Sequence, residues 1–169
     1  GISTIEDIYT VLNAGADKVS LNSIALNSPE FIKEASSIFG SQCIVCSIDV
    51  KKIKKEYKVF NKKKIITDIN PLDLARQYQD NGAGEILLTS VENEGSTNGY
   101  DLELIKLFKE QLSIPIILNG GMGKPADAIQ AIENGADAVA AAYIFHFSQW
   151  TPNDIKSALS KYNIPVRFS

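Results

Sequence analysis

The chain reads as an α/β protein, a partial (β/α)8 TIM barrel comprising about its last five strands, and three features of the sequence lead there. Short continuous apolar runs alternate with helically periodic stretches along the whole chain, the pattern of parallel strands joined by helical crossovers. A strand–Gly–helix–Gly-Ala-Asp–strand unit occurs twice, so the chain is built from two related halves. No linker or low-complexity break divides it, so residues 1–169 are expected to form a single barrel domain lacking the first three strands. An open doubly wound sheet is the alternative arrangement of the same units.

The repeat is gapless. Gly1 to Val19 aligns on Gly121 to Val139, matching Gly1 with Gly121, Asp7 with Asp127, Gly15-Ala-Asp17 with Gly135-Ala-Asp137, and Val19 with Val139. In the second copy, Ile114-Pro-Ile-Ile-Leu-Asn-Gly-Gly-Met-Gly123 is a buried strand running into a glycine turn, with a helix opening at Lys124. Glycines without Cβ atoms let backbone N–H groups approach an anion, and a helix N-terminus adds its positive dipole end. Two copies make room for two phosphate cradles. A tight strand-to-helix turn would carry the same residues without any anion.

The elements follow in order. Thr4 caps a helix to Ala14 that carries Ile5, Ile8, Val11 and Leu12 and stops at Gly15. Lys18 to Leu21 is a strand ending in Asn22-Ser23, and Pro29 opens a helix that closes at Gly40. Cys43 to Val50 is a strand. Tyr57 to Phe60 and Ile65 to Thr67 read as a short hairpin amid lysines. Pro71 then opens a helix through Tyr78, and Glu85 to Thr89 is the next strand. Ser90 to Tyr100 is a polar, glycine-bearing loop, and Asp101 to Gln111 a helix. The strand at Pro115, the helix Ala126 to Glu133, the strand Ala136 to Ala142 and a helix from Pro152 to about Lys161 complete the series. The chain begins at Gly1, where the repeat places the end of a strand, so it is expected to be a fragment of a longer barrel.

At 44% hydrophobic and 22% charged residues, the chain has the composition of a globular domain with one sizeable core. No apolar stretch is long enough to span a bilayer, and no basic-then-apolar leader precedes the first helix, so no membrane partner and a cytoplasmic location are expected. A net charge of −3 gives no electrostatic reason for a nucleic-acid partner. Cys43 and Cys46 have redox or half-zinc spacing. They fall on a strand-like run that turns residues three apart to opposite faces, and His146 is the sole histidine, so neither a metal nor another cofactor is expected.

In a barrel, chemistry sits where strands end. Asp49 closes the run Ile44-Val-Cys-Ser-Ile48, and burial there would raise its carboxyl pKa towards the range of general acid–base work. Glu92 and Glu94 are further carboxylates on the Ser90 loop, a place where glutamates are commonly solvated. The eight lysines between Lys51 and Lys64 read as a solvated hairpin face or as an attractor of phosphorylated substrate. Lys18 and Glu85 begin their strands, so they would face each other at the opposite mouth.

Gly15-Ala-Asp-Lys-Val-Ser-Leu-Asn22, Phe39-Gly-Ser-Gln42, Ser47-Ile-Asp-Val-Lys51, Gly82-Ala-Gly-Glu-Ile-Leu-Leu-Thr-Ser90, Gly99-Tyr-Asp101, Gly120-Gly121 and Ile144-Phe-His-Phe147 together resemble the cyclase subunit of imidazole glycerol phosphate synthase. The resemblance spans Gly1 to Arg167 and implies a (β/α)8 barrel with half-barrel duplication. It implies a lyase of histidine biosynthesis that uses ammonia from a partner glutaminase. The ammonia would convert a doubly phosphorylated substrate, phosphoribulosyl-formimino-aminoimidazole carboxamide ribotide, to imidazole glycerol phosphate and aminoimidazole carboxamide ribotide. By the same resemblance Asp49 is a catalytic acid or base. Gly1, Asn22 and Ser23 hold one phosphate, and Gly95, Gly120, Gly121 and Ala142 hold the other. Thr89 and Glu94 contact substrate, Lys18 and Glu85 belong to a charged ammonia gate, and Asp17 and Gln42 lie towards the glutaminase.

The sequence departs from that pattern. The first strand, which carries the family's other catalytic aspartate, is absent, so the 169 residues alone are expected to be inactive. Glu92 and Glu94 stand for aspartates, Tyr143 for a phosphate-binding serine, and Asn119 for a small serine or cysteine. These changes resemble a paralogue that uses ammonia to install acetamidino groups on nucleotide sugars for surface polysaccharides. A non-catalytic phosphate-binding scaffold is the reading from another class.

Overall fold

The structure, a computed structural model, describes residues 1–61, 64–66 and 69–168. Seven strands form one sheet: β1 (Val19–Leu21), β2 (Ile44–Ile53), β3 (Glu56–Asn61), β4 (Lys64–Ile66), β5 (Glu85–Ser90), β6 (Ile116–Asn119) and β7 (Ala138–Ala140). The helices are α1 (Ile5–Asn13), α2 (Ser23–Asn27), α3 (Glu30–Phe39), α4 (Pro71–Asp80), α5 (Leu102–Lys109), α6 (Pro125–Glu133), α7 (Tyr143–Phe147) and α8 (Pro152–Lys161), with a 3-10 turn at Ser41–Cys43.

The five strands β1, β2, β5, β6 and β7 pair in parallel, each with its predecessor in that series. A doubly wound sheet reverses its strand order at a switch point; this one never does, which is the winding of a (β/α)8 barrel. The chain has the parallel α/β architecture of a partial barrel, with β3 and β4 added antiparallel beside the far half of β2.

Side-chain alternation sorts the strands into two faces. Ile86 and Leu88 of β5, Ile116 and Leu118 of β6, and Ile44, Cys46 and Ile48 of β2 are buried with Ile32, Leu104, Ile105 and Phe108 of the helices in one core. The other face carries Glu85, Leu87 and Thr89, in register with Val45, Ser47 and Asp49 on β2. That inner face is lined by polar groups at both strand ends, about 13 Å apart at the rise of an extended strand.

The repeat is reproduced in hydrogen bonds. Ser3 and Thr4 donate their N–H groups to Asp7 at 2.8 and 2.9 Å, and Gly123 and Lys124 donate theirs to Asp127 at 2.9 and 3.0 Å. Gly15 N–H donates to Leu12 and Gly135 N–H to Ile132, both at 3.0 Å, and both glycines take positive φ, +103° and +111°. The likeness extends past Val19 and Val139 into α2 and α7, five-residue helices that occupy matching places. Neither helix was expected, because one and a half turns carry no readable period.

Two boundaries differ from expectation. Asp49 does not end its strand: β2 runs on to Ile53, because Val50 to Ile53 pair antiparallel with Val59 to Glu56 across a turn in which Lys54 takes φ +58°. The final strand is Ala138–Ala140 rather than Ala136 to Ala142, cut short where α7 begins. Thr67, the expected end of the hairpin, lies outside the described residues, as do Lys62 and Lys63 of the lysine run.

Candidate active site

The strand register lines up the site. Asp49 is the β-partner of Thr89, and Thr89 of Asn119, so parallel pairing turns all three side chains to the inner face at one level. Asn22, the residue after β1, donates its Nδ2–H to Asp49 Oδ2 at 3.0 Å. Asn119 donates from Nδ2 to Thr89 Oγ1 at 3.3 Å and to Glu94 Oε2 at 3.2 Å. One polar row therefore runs across the rim from the end of the first repeat's strand to the end of β6. Asp49 is half-buried within it, and Thr89 is buried.

The residues expected to hold phosphate lie in the segments that follow the row and in the one before α1. At one end Asn22 leads into Ser23, the first residue of α2. Gly1 lies in the segment before α1, and a Cβ there would meet nothing within 4 Å. At the other end Glu94, Gly95, Asn119, Gly120, Gly121, Met122, Ala142 and Tyr143 line a small pocket of about 10 Å³. Tyr143 is 42% exposed, its ring tilted at 36° against that of Phe147 with centroids 4.6 Å apart, and it approaches Gly95.

The glycine pair also has a packing role. Gly120 and Gly121 take φ of +98° and +108°, and Cβ atoms there would lie 2.6 Å from Ser90 O and 2.1 Å from Gly99 O. The loop 91–100 presses onto this turn: Gly99 N–H donates to Gly121 O at 2.8 Å, and Asn93 Nδ2–H to Gly99 O at 2.9 Å. Tyr100 closes the loop by donating its O–H to Ala140 O at 2.8 Å, and burial pushes its phenol pKa up. These contacts were not legible in the sequence; Asn93 and Tyr100 sit in a stretch whose composition says only "turn".

The opposite end of the sheet collects the other expected residues. Lys18 and Glu85 form an ion pair, with the lysine 45% and the glutamate 20% exposed. Asp17 and Gln42 lie at the same end, in the segments entering β1 and β2, and both are exposed. Around the hairpin, Tyr57 O–H donates to Asp101 at 2.9 Å while Asp101 caps α5 through Leu104 N–H at 3.0 Å. Lys52 pairs with Glu103, which raises the lysine pKa and lowers that of the glutamate. Cys43 is half-buried in the 3-10 turn; Cys46 is buried in β2, and burial pushes its thiol up to about 12.

Comparison with known proteins identifies the family. The profile of a family described as "Histidine biosynthesis protein" matches residues 1–151. A Campylobacter jejuni protein named provisionally as imidazole glycerol phosphate synthase subunit hisF2 is 53% identical over 99% of this chain and 67% of its own length. The imidazole glycerol phosphate synthase subunit HisF of Leptospira biflexa is 47% identical over 99% of this chain and 67% of its own. That of Campylobacter concisus is 49% identical over 99% and 66%. Identity of this degree along nearly all of the sequence places the chain in the histidine biosynthesis protein family.

Proposed function

We propose that the chain supplies the ammonia-using cyclase barrel of an imidazole glycerol phosphate synthase. In this reading it converts phosphoribulosyl-formimino-aminoimidazole carboxamide ribotide to imidazole glycerol phosphate and aminoimidazole carboxamide ribotide, with a glutaminase subunit as the ammonia source. The carrying observation is the rim row: an acid, Asp49, lies between Asn22 at the end of β1 and Thr89, whose own partner Asn119 leads into the glycine turn. A substrate with a phosphate at each end would lie across that row, its reacting centre near Asp49. The Asn22 amide fixes the carboxylate by donating to one oxygen, which leaves the other to accept or return a proton during ammonia addition and ring closure. At the far mouth the Lys18–Glu85 pair is placed to admit ammonia, with Asp17 and Gln42 on the partner's side. The names of the relatives support a subunit that works with a second chain.

The test is Asp49→Asn in the full-length protein with saturating ammonium ion. General acid–base roles are worth about 100- to 10,000-fold, so turnover should fall by that factor while the fold is retained. Normal turnover would remove Asp49 from the chemistry, whereas phosphate binding without any turnover by the unmutated protein would favour a phosphate-binding scaffold.

A second reading, a paralogue, rests on two observations. Tyr143 puts an aromatic ring at the mouth of the second cradle, and one relative bears the hisF2 name. A paralogue that adds an amidine to a nucleotide sugar would not rescue a histidine auxotroph, whereas the cyclase would.

A further inference from the structure

We propose that Asn119 is a positioning residue that ties the loop carboxylate of Glu94 to the strand carrying the polar row. The inference rests on the cyclase reading for its assay, though not for its geometry.

The chemistry of the amide fixes its orientation. A carboxylate only accepts hydrogen bonds, so the Asn119 group facing Glu94 Oε2 at 3.2 Å is its NH2, and the second hydrogen of that group goes to Thr89 Oγ1 at 3.3 Å. Three consequences follow. Glu94, an exposed side chain on a loop, is tied to the strand that carries the row. Thr89, accepting from Asn119, keeps its own hydroxyl hydrogen free for the open inner face. Glu92, two residues earlier and exposed, makes no side-chain hydrogen bond among the described residues. The hydroxyl or thiol of a residue as short as serine or cysteine at position 119 would stop short of this reach. The longer glutamate and the longer amide match each other as a pair.

The ionisable groups around Glu94 are Glu92 on its own loop, Tyr100 at the loop's end, Tyr143 across the pocket, Asp127 behind Gly99, and Asp49 beyond Thr89. Among the described residues no Lys or Arg lines this pocket. The amide of Asn119 is thus the group that steadies the carboxylate.

The test uses full-length protein with ammonium ion. Asn119→Ala should raise KM about tenfold and leave kcat within about threefold, the signature of lost ground-state positioning. Asn119→Asp sets a second carboxylate against Glu94, and two such groups share one proton at a pH above the ordinary carboxylate range. Its KM should therefore be high at pH 8 and recover towards the wild-type value as pH falls to about 5.5, while Asn119→Ala shows no such recovery. A merely structural role would give neither the KM-only effect nor the pH-linked rescue. Equal pH profiles for the two variants, or an unchanged KM in Asn119→Ala, would overturn the proposal. If the wild-type protein does not turn over the ribotide, the cyclase reading fails. The clamp is then judged by carbon-13 NMR of the Glu94 carboxyl, which should titrate at higher pH in Asn119→Asp than in the wild type; an unmoved titration rejects it.

Discussion

Gly121 sits at the closest backbone approach of the rim, and its conformation and its neighbours each demand the missing side chain. At φ +108° a Cβ is strained, and here it would stand 2.1 Å from Gly99 O. Gly121→Ala should cost about 1–3 kcal/mol by urea unfolding, since the Gly99 to Tyr100 segment must move away. In the function proposed above it should raise the KM for the phosphorylated substrate as well, because the loop carrying Glu94 and Gly95 moves with it. At this scale the sequence read well for residue type and less well for surroundings. Asn22, Thr89 and the glycine pair were visible as residues where strands end, whereas Asp49, expected to end its strand, lies within β2. That Asn119 would bind Glu94 was hidden, because that bond joins positions 25 apart whose meeting depends on strand order.

The helical elements were legible through their caps. Thr4 was read as a cap and Pro71 and Pro152 as helix starts; the structure adds Asn70, Asp101 and Thr151, which like Thr4 accept an N–H from the first turn, and Pro125, which begins α6. Asp7 and Asp127 perform the reverse arm of a cap in the two repeats. Lys124 has no acceptor, so at the second copy Asp127 carries the cap alone. Asp127 is 4% exposed, and its removal leaves two N–H groups without a partner. Asp127→Ala should therefore lower stability by about 1–3 kcal/mol, read from the urea midpoint. The bonds from Ser3 and Thr4 hold Asp7 below its ordinary pKa, as those from Thr151 do for Asp154. What the sequence concealed were the elements too short to show a period, α2 and α7. It also concealed the outward half of β2, whose lysines look like loop but pair with β3.

For the molecule as a whole, the buried acids that stay neutral set the response to alkali. Burial raises Cys46 to about 12 and raises Tyr78 and Tyr100 above their ordinary phenol value. A group whose pKa is raised on folding stabilises the fold fully below its unfolded pKa and loses that contribution as pH climbs towards the folded one. The urea midpoint should thus hold steady from pH 7 to about 8.5 and fall as pH rises past the ordinary thiol value of 9.0 towards 12. A flat profile to pH 11 would show that these groups are hydrated. On the far side of β7, Met122, Val139, Phe145, Ile155 and Leu159 line an apolar groove of about 950 Å³ beside the sheet edge. Among the described residues no helix is long and apolar enough to cross a membrane.

The sequence alone determined the alternation of strand and helix, the duplication and the rim residues, because periodicity, capping and glycine placement are local and survive without coordinates. Only the tertiary structure decided which strands are neighbours, and with that the row from Asn22 through Asp49 and Thr89 to Asn119 and Glu94. Register between distant segments is set by packing of the whole sheet, and no stretch of chain carries it by itself.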